Sequence, residues 1–143
     1  MTPDTSIPAA VTLQYLKRPY GELAWLINTH AANQPERIAL DDGEEQLTWA
    51  ETAAFVNRIA AQLQAEGLQK GQAVSILGTT TIRYALVYLG AIVAGGCAAP
   101  LTTSATPQQL AAMMTDSGAG HLFIDHIKPV SYTHLRAHET RNY

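Results

Sequence analysis

The chain is short of cysteine, of lysine and of glycine-rich loops, and each shortage closes off a class of protein. Cys97 is the only cysteine, so no disulfide can form within the chain. It falls in an apolar stretch, which predicts a buried, inert thiol rather than a nucleophile. Lys and Arg number 9 against 12 Asp and Glu, a formal charge of −3. That balance leaves no electrostatic footprint for nucleic acid or anionic lipid. No G-x-G-x-x-G stands at the first strand-to-helix turn, where Leu77-Gly78-Thr79-Thr80 has one glycine, so a dinucleotide grip is missing there. The N-terminus has Asp4 but neither a basic n-region nor a long apolar h-region; it is not a secretory signal, and a cytoplasmic protein is expected.

Long apolar runs are nearly absent too. The exception, Tyr84 to Leu101, reaches about 18 residues, near the lower limit for a membrane span. Gly95-Gly96, Pro100, the many alanines and the lack of a flanking basic cluster predict a buried helix followed by a strand instead.

What the chain does have is a hydrophobic content of 47% with 15% charge, fitting an α/β protein whose sheet is covered on both faces. Its centre is Ala73 to Pro100. Ala73-Val74-Ser75-Ile76-Leu77, bounded by Gly71 and Gly78, reads as a buried strand. Thr79-Thr80-Thr81 offers hydroxyls to start a helix. Ile82, Leu86, Leu89 and Val93 recur at helical spacing, and Gly95 supplies a left-handed stop. A second strand ends at Pro100. Strand, helix, strand is a βαβ crossover, implying a mostly parallel sheet.

Around this unit the punctuation is clear. Residues 1–21, with Pro3, Pro8 and Pro19, read as an extended arm with a helical turn near Thr12 to Lys17. Glu22 to Asn33 reads as a helix stopped by Pro35, with Leu23, Leu26, Ile27 and Ala31 on one face. His30, near that stripe, is a packed or solvated histidine, since no second ligand lies at a useful spacing. Arg37–Asp41 and Glu45–Thr48 flank Asp42-Gly43 and predict a hairpin. The acids Asp41, Asp42, Glu44 and Glu45 lack calcium-loop spacing and read as a solvated tip. Thr48-Trp49-Ala50-Glu51 is a capping box opening a helix to about Glu66. Phe55, Val56, Ile59, Ala60 and Leu63 are expected inside it, and Asn57, Arg58, Gln62 and Glu66 outside. Thr102-Thr103-Ser104-Ala105 reads as a linker, because a phosphate cradle needs glycines to close on the anion. Thr106-Pro107-Gln108-Gln109 starts a helix with a hydroxyl cap and Pro at N1. Leu110, Met113 and Met114 are its expected apolar face, Gly118 its end, and His121–Asp125 a further strand.

In this order the wording resembles the start of the adenylate-forming (AMP-binding) superfamily, which includes acyl-CoA synthetases, luciferases and peptide-synthetase adenylation domains. Leu47-Thr48-Trp49-Ala50-Glu51 is similar to its L-T-Y-x-E-L start. Gly67-Leu68 through Lys70-Gly71-Gln72-Ala73-Val74-Ser75-Ile76-Leu77 resembles G-[LV]-x-x-G-D-x-V-A-[IL]-L, with Gln72 where Asp is usual. Tyr88 to Gly96 and on to Pro100-Leu101 resembles A-x-L-A-x-x-x-A-G-A-x-x-x-P-L. The resemblance covers roughly Glu22 to Asp125. It implies a layered α/β subdomain belonging to the N-terminal part of a ligase that joins a carboxylic acid to a thiol, using ATP and Mg²⁺ and delivering to coenzyme A. The family's T-S-G-T-T-G-x-P-K loop and its catalytic lysine have no counterpart here: Lys17, Lys70 and Lys128 are the lysines, and none follows a glycine-rich loop. No catalytic, cofactor-binding or metal-binding residue is therefore assigned, and the chain itself is expected to be inactive. A peptide-synthetase adenylation domain and a small non-catalytic α/β module are the alternatives. The start at Met1 without carrier or condensation sequence favours a stand-alone ligase.

Residues 130–143 break every pattern above. Val130 to Thr140 matches the in-frame translation of a transposase-type sequencing adapter. The expected organisation is thus an arm over 1–21, a family-derived portion over 22–129 and an artefactual tail over 130–143. This also removes a tempting metal pair, His134 and His138 with Glu139 adjacent and His121 and His126 upstream, whose glutamate is misplaced for H-E-x-x-H.

Overall fold

A computed structural model of the chain describes residues 9–17 and 22–125. The tail 130–143, His126 and the rest of the N-terminal arm lie outside the described residues. The arm's helical part starts earlier than expected, as α1, Ala9–Leu16. Then follow α2 (Leu23–Asn33), β1 (Ile38–Asp41), β2 (Gln46–Thr48), α3 (Trp49–Ala65), β3 (Ala73–Leu77), α4 (Ile82–Val93), β4 (Cys97–Leu101), α5 (Pro107–Ser117) and β5 (His121–Ile124). β1 and β2 form the antiparallel hairpin. β3 pairs in parallel with β4 on one side and β5 on the other, giving the order β4-β3-β5.

β3 is the pivot of the layers. All five of its residues are buried. Val74 packs with Ala60 and Leu63 of α3 and with Ala91 and Ala94 of α4. Leu77 packs on the opposite face, with Leu110 and Met114 of α5 and Leu122 of β5. Side chains alternate across a strand, so helices cover both faces, as the composition implied. Burying Val74, Ile76 and Leu77 contributes roughly 1.5–3 kcal/mol each. A separate cluster joins Ile27 of α2, Leu47 of β2, Ala53 and Val56 of α3 and Ile82 and Leu86 of α4.

Helix ends are closed with unusual completeness. At α3, Glu51 N–H donates to Thr48 Oγ1 at 3.2 Å while Glu51 Oε2 accepts from Thr48 N–H at 2.9 Å. Trp49 N–H donates to the Arg37 carbonyl and Ala50 N–H to that of Pro35, at 2.9 and 3.1 Å. The first-turn donors that a helix leaves orphaned are thus all taken, and the loop after α2 is pinned to α3. Thr106 and Gln109 form the same reciprocal box at α5. Gly67, Gly95 and Gly118 end the three helices with positive φ. In each case the last glycine N–H and the next one reach back to carbonyls of the final turn, which is the Schellman pattern.

α4 starts at Ile82. Thr81 Oγ1 accepts from Tyr84 N–H at 3.2 Å, and Asp42 Oδ2 accepts from Ile82 N–H at 2.9 Å. Asp42 Oδ1 also accepts from Glu44 and Glu45 N–H, at 3.1 and 2.9 Å. The carboxylate turns the hairpin and ties its tip to α4 across the fold. Only Asp42 of the acidic cluster reaches across in this way; Asp41 serves the turn locally, accepting from Gly43 N–H at 2.9 Å.

Four expectations are corrected. Cys97 is exposed, because β4 is an edge strand whose first residue has no cover. Pro100 lies inside β4, which runs on to Leu101. Phe55 and Met113 are each 41% exposed: Phe55 lies off the stripe of Thr52, Val56, Ala60 and Leu63, and Met113 points away from Leu110 and Met114. Gln62 and Glu66, expected outside, are half-buried, and Glu66 Oε2 lies 3.4 Å from His121 Nε2 of β5.

The α3–α4 crossing is tight. A Cβ at Gly90 would lie 2.5 Å from Ile59 Cγ2 and 2.8 Å from Ile59 Cβ. Gly90→Val is therefore expected to lower unfolding stability by about 1–3 kcal/mol through overpacking, read from urea denaturation. Unchanged or raised stability would show that the crossing has slack. The hairpin tie predicts a pH dependence. The Ile82 N–H bond, then those of Glu45 and Glu44, hold the Asp42 carboxyl below its ordinary value of 3.8. The unfolded chain then binds the proton first, so this contribution is complete above pH 3.8 and is lost as pH falls below it. Asp42→Asn should lower the melting temperature at neutral pH and flatten the acid limb of the stability curve; parallel curves for the two proteins would refute the tie.

Candidate functional site

All three sheet strands run the same way, so their carboxyl ends share one edge. There β3 leads through Gly78–Thr81 into α4 on one face, and β4 leads through Thr102–Thr106 into α5 on the other. Loops that diverge to opposite faces leave the crevice where α/β proteins hold ligands. In this chain several hydroxyls at that edge have partners. Thr102 Oγ1 lies 2.8 Å from Ser104 Oγ, Thr81 and Thr106 cap their helices, and Thr79 Oγ1 lies 3.5 Å from Asp125 Oδ2. The Thr102–Ala105 stretch is a turn closed by Ala105 N–H donating to the Thr102 carbonyl at 3.3 Å. At Gly78 a Cβ would stand 2.8 Å from Asp125 Cβ, so a glycine is what lets the end of β5 close on β3.

Beside this edge a cavity of about 440 Å³ opens between the helices and β5. Phe55, Arg58 and Ile59 of α3 form one wall, and Arg83, Tyr84 and Val87 of α4 another. Its floor is Ile76 and Phe123, and Glu45, Leu47 and Asp125 close the ends. Arg58 lies over the Phe55 ring, 5.7 Å from its centroid. The walls are apolar and the rim carries two acids and two arginines. Its ionisable lining is Glu45, Arg58, Arg83, Tyr84 and Asp125. No short-range pattern marks this cavity, whose lining comes from residues 45–59, 76–87 and 123–125.

The residues weighed from sequence are distributed as follows. The His30 ring stacks on Trp49, with centroids 4.2 Å apart and planes 12° apart. Its Nδ1 pairs with Gln34 Nε2, and Arg37 Nη1 donates to Gln34 Oε1 at 3.3 Å. Burial, and then the nearby Arg37, hold the imidazole below its ordinary pKa, favouring the neutral ring. This is a packed histidine that buttresses the start of α3. His121 is remote from His30, on β5. Among the described residues no group of three or more His, Cys, Asp and Glu is placed to hold a metal ion, and no helix is long and apolar enough to cross a membrane. His134, His138 and Glu139 lie outside the described residues.

The fold and the sequence both have relatives. The family model described as "AMP-binding enzyme" matches residues 27–142. Malpibaldin synthetase of Mortierella alpina is 32% identical over 115 residues, covering 76% of this chain and 2% of the synthetase. O-succinylbenzoate coenzyme A synthetase (MenE) of Bacillus subtilis, solved in complex with AMP, superposes with a TM-score of 0.65 at 28% identity, over 80% of this chain and 29% of that one. The N-terminal domain of FACL13 from Mycobacterium tuberculosis gives a TM-score of 0.65 at 25% identity, over 71% and 26%. The chain thus spans between 1% and 4% of the first curated relatives it matches and under a third of these solved chains. Its mixed α/β architecture, with a parallel three-strand sheet, is that of the N-terminal domain of adenylate-forming enzymes, and the chain belongs to the AMP-binding enzyme family.

Proposed function

We propose that this chain is scaffold from an AMP-forming ligase that activates a carboxylic acid with ATP and passes it to coenzyme A in the cytoplasm. The observation that carries the reading is the likeness to the coenzyme A synthetase solved with AMP, which extends over 80% of this chain. In such a ligase the carboxylate attacks the α-phosphate of ATP in line, giving an acyl-adenylate and pyrophosphate. The thiol of coenzyme A then displaces AMP. The first step places negative charge on phosphate oxygens and needs Mg²⁺ and positive groups to absorb it. Nothing in the chain is assigned to ATP, Mg²⁺, coenzyme A or the acid. Its contribution is the sheet, the capped helices and the cavity on which such groups are carried. Its acidic balance speaks against nucleic acid as a partner.

A second reading is favoured by the curated relatives, which include peptide synthetases 30–34% identical to this chain. In it the chain comes from a peptide-synthetase adenylation domain, and the acyl group goes to a carrier protein instead of free coenzyme A.

Purified chain 1–143 should show no acid-dependent ATP–pyrophosphate exchange with any of a panel of fatty, aryl and amino acids. Measurable exchange would overturn the scaffold reading, and tight ATP binding without exchange would favour a small binding module. We further propose that residues 130–143 are adapter-encoded, although the family match runs to residue 142. Deleting 130–143 should then leave the melting temperature unchanged; a clear drop would make the tail part of the fold.

A further inference from the structure

The side-chain amide of Gln34 is held at both ends, and the chemistry of its partners fixes its orientation. Gln34 follows α2 and is buried, 4% exposed, so its oxygen and its nitrogen must each find a partner inside the fold. Arg37 Nη1 donates to Oε1 at 3.3 Å, and a guanidinium has no acceptor to offer. Nε2 is therefore the end that meets His30 Nδ1. An amide nitrogen only donates, so Nδ1 accepts and the neutral ring carries its proton on Nε2. A second proton, at Nδ1, would set two donors against each other. Turning the amide over answers the ring but aims its NH₂ at the Arg37 guanidinium. No orientation of Gln34 serves a charged His30 and Arg37 together.

We propose that His30, Gln34 and Arg37 form a proton-operated latch at the junction of α2 and α3, closed on a neutral His30 and opened by one proton at Nδ1. The ring lies flat on Trp49, with planes 12° apart, and a cation over an indole face is attracted to it, so the charged ring stays in place. Arg37 is exposed and can exchange its bond to Gln34 for water. The amide therefore turns over and Arg37 is the group released. Release reaches α3, because the Arg37 carbonyl takes Trp49 N–H at 2.9 Å and the Pro35 carbonyl takes Ala50 N–H at 3.1 Å. Neighbouring acids do not offset the added charge. α2 has no ionisable residue besides His30. Glu51, in the first turn of α3, gives its carboxylate to Thr48 N–H and Oγ1, at 2.9 and 3.0 Å. α4, which also packs on α2, has Arg83 at the cavity rim, and Glu36 is exposed. The charge felt at the ring is that of Arg37, of the same sign as an imidazolium. Burial first, and then Arg37, hold the ring below its ordinary pKa of 6.5, so the unfolded chain takes the proton first. The latch's contribution to stability is thus complete above pH 6.5 and is lost as pH falls below it.

A magnetic-resonance pH titration of the ¹⁵N-labelled chain tests the latch, with His30→Gln used to assign the His30 ring. The Gln34 side-chain NH₂ signals should move with the same midpoint as the ring. Gln34→Met keeps the bulk and removes the opposing donor, so it should raise the His30 midpoint toward 6.5; burial alone would leave the midpoint in place or lower it. Gln34→Glu can accept from both neighbours at once and should raise the midpoint by about one unit or more, a tenfold gain in proton affinity. In the unsubstituted chain the exchange protection of the Trp49 and Ala50 amides should be lost as His30 takes its proton, while Ala60 and Leu63 in the body of α3 keep theirs. In Gln34→Glu, Trp49 and Ala50 should stay protected over the same range. A His30 midpoint that Gln34→Met leaves unchanged or lowers overturns the proposal. So does a Gln34 amide that ignores the His30 titration, or protection at Trp49 and Ala50 that does not change across it. If Gln34→Met fails to fold, the amide titration and the exchange of the unsubstituted chain decide the question alone.

Discussion

The rest of the structure depends on β3 being buried from four directions. β4 and β5 flank it in the plane of the sheet, α3 and α4 lie on one face, and α5 lies on the other. A five-residue strand in that position can carry only side chains that need no water. Val74, Ile76 and Leu77 meet the requirement outright. Among the described residues Ser75 Oγ has no hydrogen-bond partner, a cost of about 1–3 kcal/mol, comparable with what one buried aliphatic neighbour gives back. Every other element is placed by reference to this strand. The first crossover runs from its carboxyl end and the second passes over it from β4 to β5, the helices pack on its faces, and the hairpin is held to α4 by Asp42.

That arrangement separates scaffold from chemistry. The carboxyl edge of the sheet, where a ligand would sit, is built here from turns in which several hydroxyls have partners. The adjoining cavity is apolar with a rim of both charges. A family that activates carboxylates needs groups that absorb phosphate charge, and the sequence supplies neither a glycine-rich loop nor a lysine after one. The similarity to solved ligases over less than a third of their length agrees with a chain that shares their supporting layers.

Local chemistry was legible in the sequence wherever it acts over a few residues. Thr48 with Glu51 and Thr106 with Gln109 are spaced so that side chain and backbone satisfy each other, and both boxes form. Gly67, Gly95 and Gly118 end helices because only a left-handed residue lets the next amides reach back. The βαβ unit follows from a β-branched run, a helical stripe and two glycines. Exposure was not legible, because it is set by what lies beyond an element. Phe55 and Met113 look like core residues by type, yet each lies on a side of its helix that neighbouring elements leave partly uncovered. Cys97 looks buried by its apolar context, yet β4 has an outer edge. The Asp42–Ile82 bond joins residues 40 apart, and no short-range pattern announces it. The cavity shares this origin, since its walls come from the hairpin, α3, α4, β3 and β5.

If β3 is the constraint on which the layers depend, its amides can open only when the whole fold does. Amide hydrogen exchange, resolved by residue, measures this directly. The account predicts that Val74 to Leu77 exchange slowest in the chain, at a free energy equal to that of global unfolding, with Ala98 and Leu122 to Ile124 at the edges faster. Exchange of Val74 to Leu77 as fast as that of the edge strands, or of the hairpin tip at Gly43 to Glu45, would contradict it.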